Sequence, residues 1–200
     1  MTRTAVITGL GATTPIGGDV PTFWSHALQG VSGARTIEHD WVEKYELPVT
    51  FAAELAVPTS EVLSKVEQKR QDPATQMATV AAREAWKDAG LEGAEVDGDR
   101  LAVAFGTGIG GVWTLLDGWD TLRERGPRRV LPMTVPMLMP NGAAGALSLE
   151  FGARAGARTV VSACAAGTDT SRVEPSAMSA YCQAGRSPVA RSACAHAAFA

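Results

Sequence analysis

The sequence predicts an α/β layered fold, and three observations carry that prediction. Short apolar runs rich in β-formers end in glycine, longer segments carry helix caps and stops, and the two kinds alternate along the chain. "RTAVITGLG" (residues 3–11) is such a run and reads as a buried strand. "GDVPTFWSHALQG" (18–30) follows with Asp19 as a possible N-cap, Pro21 in the first turn and Gly30 as a stop, the marks of a helix. "LPVTFAAEL" (47–55) alternates weakly and reads as a strand. "QDPATQMATVAAREAWKDAGLE" (71–92) is the clearest helix: Asp72 caps, Pro73 fits the first turn, alanines fill the interior and Gly90 fits the position after the C-cap. "DRLAVAFGTG" (99–108) is a further strand running into glycines. "GGVWTLLDGWDTLRERGP" (110–127) is helical and stopped by Gly126 and Pro127. "NGAAGALSLEFG" (141–152) is a helix of small residues that can pack closely, and "ARTVVSAC" (157–164) is another strand.

Composition narrows the function classes. The chain has 200 residues, 46% hydrophobic and 20% charged, an ordinary globular balance sufficient for one domain with a core. A net charge of −3 gives no footprint for nucleic acid or anionic lipid. The one basic cluster, "RERGPRRV", lies beside acidic residues and reads as a solvated helix end. No run approaches the ~18 apolar residues of a membrane span. Three cysteines without a secretory signal argue against a disulfide framework and for a reducing cytoplasm.

Residues 171–200 differ from what precedes them. "SRVEPSAMSAYCQAGRSPVARSACAHAAFA" has no period of a helix or a strand. Pro175 interrupts the helix expected after Cys164, and Pro188 follows. Cys182, Cys194 and His196 fall in this tail, which is expected to hold no long regular strand.

The candidate chemistry centres on "TVVSACAAGTD" (159–169), where a strand delivers Cys164 to a small-residue corner. A thiol at a helix N-terminus feels the positive end of the macrodipole, which favours thiolate. The small residues that follow let an acyl thioester approach and leave backbone N–H groups for an oxyanion. A buried structural cysteine, acting as a small hydrophobe, fits the local pattern equally well. The corner is not a hydrolase nucleophile elbow, because Ser162-Ala163-Cys164-Ala165-Ala166 lacks both flanking glycines. "GLGATTPIGG" (9–18) has Gly9 and Gly11 of a dinucleotide loop but Thr14 in place of the third glycine, and reads as a tight turn. "GTGIGG" (106–111) lacks the Lys-Ser/Thr of a phosphate loop and is a glycine corner presenting Ile109. His26, His39 and His196 have no metal-ligand spacing. Trp24, Trp41, Trp86, Trp113 and Trp119 read as core or interface residues.

Taken together, "VITGLGATTPIGG", "LQGVSGARTI", "AAREAWKDAGL", "GTGIGG", "GPRRVLPMTVPMLMPNGAAG" and "TVVSACAAGTD" resemble the β-ketoacyl-[acyl-carrier-protein] synthases, the type II elongating condensing enzymes. The stretches keep the family's order and spacing over residues 3 to about 169. The resemblance implies the N-terminal half of a thiolase-like fold, a mainly parallel sheet with helices on its faces, over residues 1–170. It makes Cys164 the nucleophile, Ile109 an apolar gate to the acyl pocket and Ala163 a small pocket-lining residue. It likens "VPMLMPN" to a segment near the dimer axis. The implied reaction belongs to fatty acid or polyketide elongation: an acyl chain passes from carrier-protein thioester to the cysteine, and malonyl-carrier protein loses CO2 to give the attacking carbanion. Acyl carrier protein is the implied partner, a homodimer the implied assembly, and no metal or organic cofactor is implied.

The family's two histidines, lysine and glycine-rich loop of the second half have no match in these 200 residues, and His196 is not assigned their role. The expectation is therefore a truncated synthase, limited to acyl transfer at Cys164, whose residues 171–200 are an atypical tail read out of frame. A non-catalytic fragment, a polyketide ketosynthase and a nucleotide-binding oxidoreductase holding a dinucleotide at Gly9–Gly17 are the alternatives.

Overall fold

A computed structural model describes residues 6–170 and the backbone of residues 194–198. Within it the expected elements form from the local signals named above. Strand β1 (Ile7–Ala12) leads through a tight turn, with Thr14 N–H on Gly17 O at 2.8 Å, into helix α1 (Val20–Leu28). Asp19 accepts the Thr22 N–H and caps α1, and Gly30 takes φ +69° after it. Two short strands, β2 (Ala34–Thr36) and β3 (Phe51–Ala53), pair antiparallel around helix α2 (Asp40–Lys44). Helices α3 (Thr59–Val62) and α4 (Lys65–Arg70) precede the long α5 (Pro73–Asp88). Strand β4 (Ala102–Thr107), helices α6 (Val112–Arg125), α7 (Thr134–Leu138) and α8 (Gly142–Glu150), and strand β5 (Gly156–Val161) complete a β–helices–β crossover.

Strands β4 and β5 pair parallel, with Ala102 opposite Gly156 and Thr107 opposite Val161. The core lies against β4: Ala78 of α5 and Ala143, Ala144 and Leu147 of α8 pack on Phe105. Alanines on the facing sides of both helices let their backbones approach, and Trp86 stacks on Phe151 with ring centroids 4.5 Å apart. The α/β class and the parallel pairing follow the sequence reading, but the described strands form three two-stranded sheets and not one continuous layer. The reason is visible at β1. Leu10 N–H donates to Asp88 Oδ2 at 2.9 Å and Ala12 N–H to Glu84 Oε2 at 2.8 Å, so carboxylates of α5 occupy the edge a further strand would need. Glu84 Oε1 also accepts the Val20 N–H at 2.8 Å and so joins β1 to the start of α1.

Within the tail, a short strand, β6 (Cys194–Ala198), pairs parallel with β1. Its alanine-rich sequence carries little β propensity; the open edge of β1 supplies the pairing instead. The readings placed on Pro175, Cys182 and Pro188 lie outside the described residues. Trp24, Trp113 and Trp119 are exposed in the isolated chain, and α6 has no buried residue.

Candidate functional site

The site grows from the C-terminal ends of β4 and β5, the position at which open parallel sheets offer backbone donors and loops to a ligand. Thr107 and Val161 are register partners, so the two chains leave the sheet side by side. From β5 the chain enters a sharp corner. Ser162 has φ −136° and ψ 38°, and Ala163 is held at φ +50°, a left-handed conformation uncommon for a residue with a Cβ. A 3-10 turn, Ala163–Ala165, then runs into residues 166–170, which are α-helical. Cys164 therefore sits in the first turn of a helical segment, as its small-residue corner predicts. It is a free, exposed thiol. As a first-turn residue its N–H has no acceptor within the turn and is available to an incoming oxygen.

Two further contacts shape the corner. Ser162 Oγ–H donates to Asp169 Oδ2 at 2.7 Å, tying the residue before the bend to the helix after it. Gly106 of β4 lies against that helix so closely that an added Cβ would stand 2.5 Å from Ala166 O. Glycine at this strand position is what lets the helix carrying Cys164 rest on the sheet. Neither contact was legible in the sequence, since each joins residues that only the folded corner brings together.

From β4 the chain enters the Gly108–Gly111 loop. Gly110 N–H donates to Thr107 Oγ1 at 3.2 Å and Gly111 N–H to Leu138 O at 3.1 Å. Gly110 takes φ +98°, and a Cβ there would lie 2.8 Å from Pro140 Cα, so the loop is laid directly on the segment after α7. On its other side, a Cβ on Gly108 would lie 3.9 Å from Ala163 Cα. The structure thus brings the Ile109 loop beside the Ala163–Cys164 corner. Ile109 is 69% exposed, and two surface depressions among the described residues, of about 360 and 590 Å³, lie elsewhere, around His26 and Arg35 and around His39 and Glu54. Ile109, Ala163 and Cys164 share an open surface here and line neither depression.

The rejected motifs find structural roles. Gly9 and Gly11 face the backbone of α5, where a Cβ would meet Ala85 O at 2.2 Å and Ala81 O at 1.9 Å. These glycines admit a helix and leave no room for a pyrophosphate. His26 Nδ1 lies 2.6 Å from Ile16 O, and His39 Nε2 2.7 Å from Glu54 Oε1. Among the described residues no three His, Cys, Asp or Glu side chains gather as a metal site, and no helix is long and apolar enough to cross a membrane.

An exposed thiol at a strand-to-helix corner thus lies beside a glycine loop at the ends of two parallel strands. The chain belongs to the β-ketoacyl synthase family: residues 2–174 match the model of the β-ketoacyl synthase N-terminal domain. Among curated proteins it is 41% identical over 164 residues to 3-oxoacyl-[acyl-carrier-protein] synthase 2 of Mycobacterium tuberculosis H37Rv, covering 82% of this chain and 39% of the relative. It is 44% identical over 169 residues to the protein of the same name from Staphylococcus aureus strain COL, covering 84% of this chain and 40% of the relative. The chain thus spans about two-fifths of the length of these relatives. A β-ketoacyl synthase from Burkholderia phymatum superposes with a TM-score of 0.67 at 28% identity, over 82% of this chain and 40% of that one. The ishigamide ketosynthase/chain length factor shares the fold with a TM-score of 0.66 at 23% identity, over 92% of this chain and 51% of that one. A type II polyketide acyl-carrier protein in complex with its ketosynthase bound to the hexaketide gives a TM-score of 0.66 at 21% identity, over 88% and 46%.

Proposed function

We propose that this chain carries the acyl-accepting half of a β-ketoacyl-[acyl-carrier-protein] synthase. The observation that supports it most is the corner at Cys164, an exposed thiol in the first turn of a helical segment at the C-terminal ends of two parallel strands. Cys164 Sγ attacks the carbonyl of an acyl thioester, the new C–S bond forms, the old one breaks, and the carrier's sulfur leaves with the proton from Cys164. The Cys164 N–H is the first donor for the developing oxyanion. Ile109 and Ala163 border the acyl chain. The donor is an acyl carrier protein, in keeping with the names of the curated relatives.

Condensation needs hydrogen-bonding or cationic groups held against the malonyl carbonyl, where charge develops as CO2 leaves. These 200 residues contain no match for the family's groups of that kind, and the step assigned to them is acyl transfer. The assembled enzyme is a homodimer working in the cytoplasm, in fatty acid or polyketide elongation. Exposed apolar side chains along α6 and α7, among them Leu116, Trp119 and Val135, support a covered surface there. Residues 171–200 are the atypical tail, a reading tested by sequencing the coding DNA past the codon for Asp169 in all three frames.

Peptide-resolved mass spectrometry after incubation with acyl-carrier protein tests the central reading. The expected result is an acyl adduct on the Cys164 peptide, absent in Cys164→Ala. The open surface around Cys164 favours one rival, a non-catalytic fragment. Inertness of Cys164 to both acyl thioesters and alkylating agents establishes that rival, and Cys164-dependent formation of a 3-oxoacyl product by the 200-residue chain overturns the restriction to acyl transfer.

A further inference from the structure

Helix α6 begins without a cap of its own: its N-cap residue is Gly111, which has no side chain to accept an N–H. The acceptor comes from another helix. Asp72, 2% exposed, is the N-cap of α5, its Oδ1 accepting the Ala74 N–H at 2.9 Å. Its Oδ2 accepts both the N–H of Thr114, at 3.1 Å, and the Thr114 Oγ–H, at 2.8 Å. One buried carboxylate therefore closes the first turns of two helices, and both macrodipoles favour a negative charge where it lies. Thr114 is the third residue of α6, immediately after the Gly108–Gly111 loop. That loop is fixed at its far side by Leu138 O and adjoins Ala163.

We propose that Asp72 is a positioning residue for the Cys164 site: through Thr114 it sets the stance of the Ile109 loop beside Ala163, and thereby how readily a long-chain reagent, relative to a short one, reaches the Cys164 thiol. This rests on the acyl-accepting reading given above. Asp72 touches neither thiol nor substrate. Its effect falls on discrimination between chain lengths and not on the intrinsic attack.

Three variants test it in the full 200-residue chain. Thr114→Val deletes the hydroxyl donor in nearly the same volume, Thr114→Ser keeps the donor, and Asp72→Asn keeps a cap for α5 while weakening the charge-assisted bonds to Thr114. Cys164 is labelled with N-ethylmaleimide and with a long-chain N-alkylmaleimide, and acylated by a short and a long acyl thioester, each read on the Cys164 peptide. Loss of one such bond corresponds to roughly a three- to ten-fold change, so Thr114→Val and Asp72→Asn are expected to change the long-to-short ratio by that factor. Thr114→Ser keeps the wild-type ratio. An unchanged ratio in both Thr114→Val and Asp72→Asn overturns the proposal, as does failure of Thr114→Ser to behave as wild type. Should Thr114→Val not fold, the Asp72→Asn and Thr114→Ser pair decides by the same criterion. If wild type takes no acyl group while the maleimide ratio still shifts, the positioning role stands and the acyl-transfer reading is the one that fails.

Discussion

At the scale of single residues, the corner at Ala163 holds the most specific information. A Cβ at φ +50° is tolerated in alanine, whereas a β-branched side chain there meets its own backbone. Ala163→Val is expected to lower stability by about 1–3 kcal/mol, measured as a shift in the urea midpoint. It should also change the rate of Cys164 labelling, because the strain falls on the residue next to the thiol. Ser162 and Asp169 brace the same bend from both sides. Their contact illustrates what sequence does not carry: both residues stand in the quoted stretch, but their pairing depends on the reversal at Ala163. The cysteine itself was legible, because a β-rich run ending in small residues marks the place where a strand hands over to a helix.

At the scale of elements, what was legible was local. Asp19, Pro21 and Gly30 bound α1, and Asp72, Pro73 and Gly90 bound α5, because caps, first-turn prolines and left-handed glycines act within a few residues of themselves. Helix α4 was equally local and was missed. Ser64 and Glu67 form a reciprocal capping box, a signal present in "SKVE". Glu67 also pairs with Arg83, which reaches Glu150, so one arginine joins α4, α5 and α8. Hydrogen bonds from Ser64 first, then from Arg83, hold the Glu67 carboxyl down at about 2. Its unfolded value is near ~4.3, so the folded value is the depressed one. The stabilisation is complete above the unfolded value and is lost as pH falls toward about 2. Solvent reaches both partners, so Glu67→Gln is expected to cost only ~0.5–1 kcal/mol near neutral pH. In urea titrations from pH 6 downward, the wild-type and variant midpoints should converge on acidification. A gap that persists at the acid end refutes the assignment. Gly106→Ala acts through packing: the new Cβ meets Ala166 O, and the helix after Cys164 must lift from β4 at about 1–3 kcal/mol. Faster alkylation of Cys164 should accompany the lowered denaturation midpoint.

At the scale of the whole molecule, the apolar balance is uneven. The core against β4 is built largely from alanines, while α6 presents leucine, valine and tryptophan outward, as do Val135 of α7 and its flanking residues Met133 and Met139. A chain of this kind is expected to bind a hydrophobic dye and to self-associate with concentration in sedimentation experiments. Leu116→Lys and Trp119→Lys should weaken both effects while moving the denaturation midpoint by no more than ~0.5 kcal/mol, since neither side chain is buried. A monomer that binds no dye counts against a covered face. Composition alone predicted a core but not its location, because the alternation of strands and helices leaves open which helix faces remain unpaired. The joining of β1 to α5 has a consequence in time. Leu10 and its acceptor Asp88 are 78 residues apart, and Ala12 and Glu84 are 72 apart. At synthesis rates of roughly 5–20 residues per second, β1 exists for about 4–16 s before its carboxylate partners have been made. During that interval it is an unprotected apolar edge on a nascent chain, and slow codons anywhere between Thr13 and Asp88 prolong its exposure to other unpaired strands.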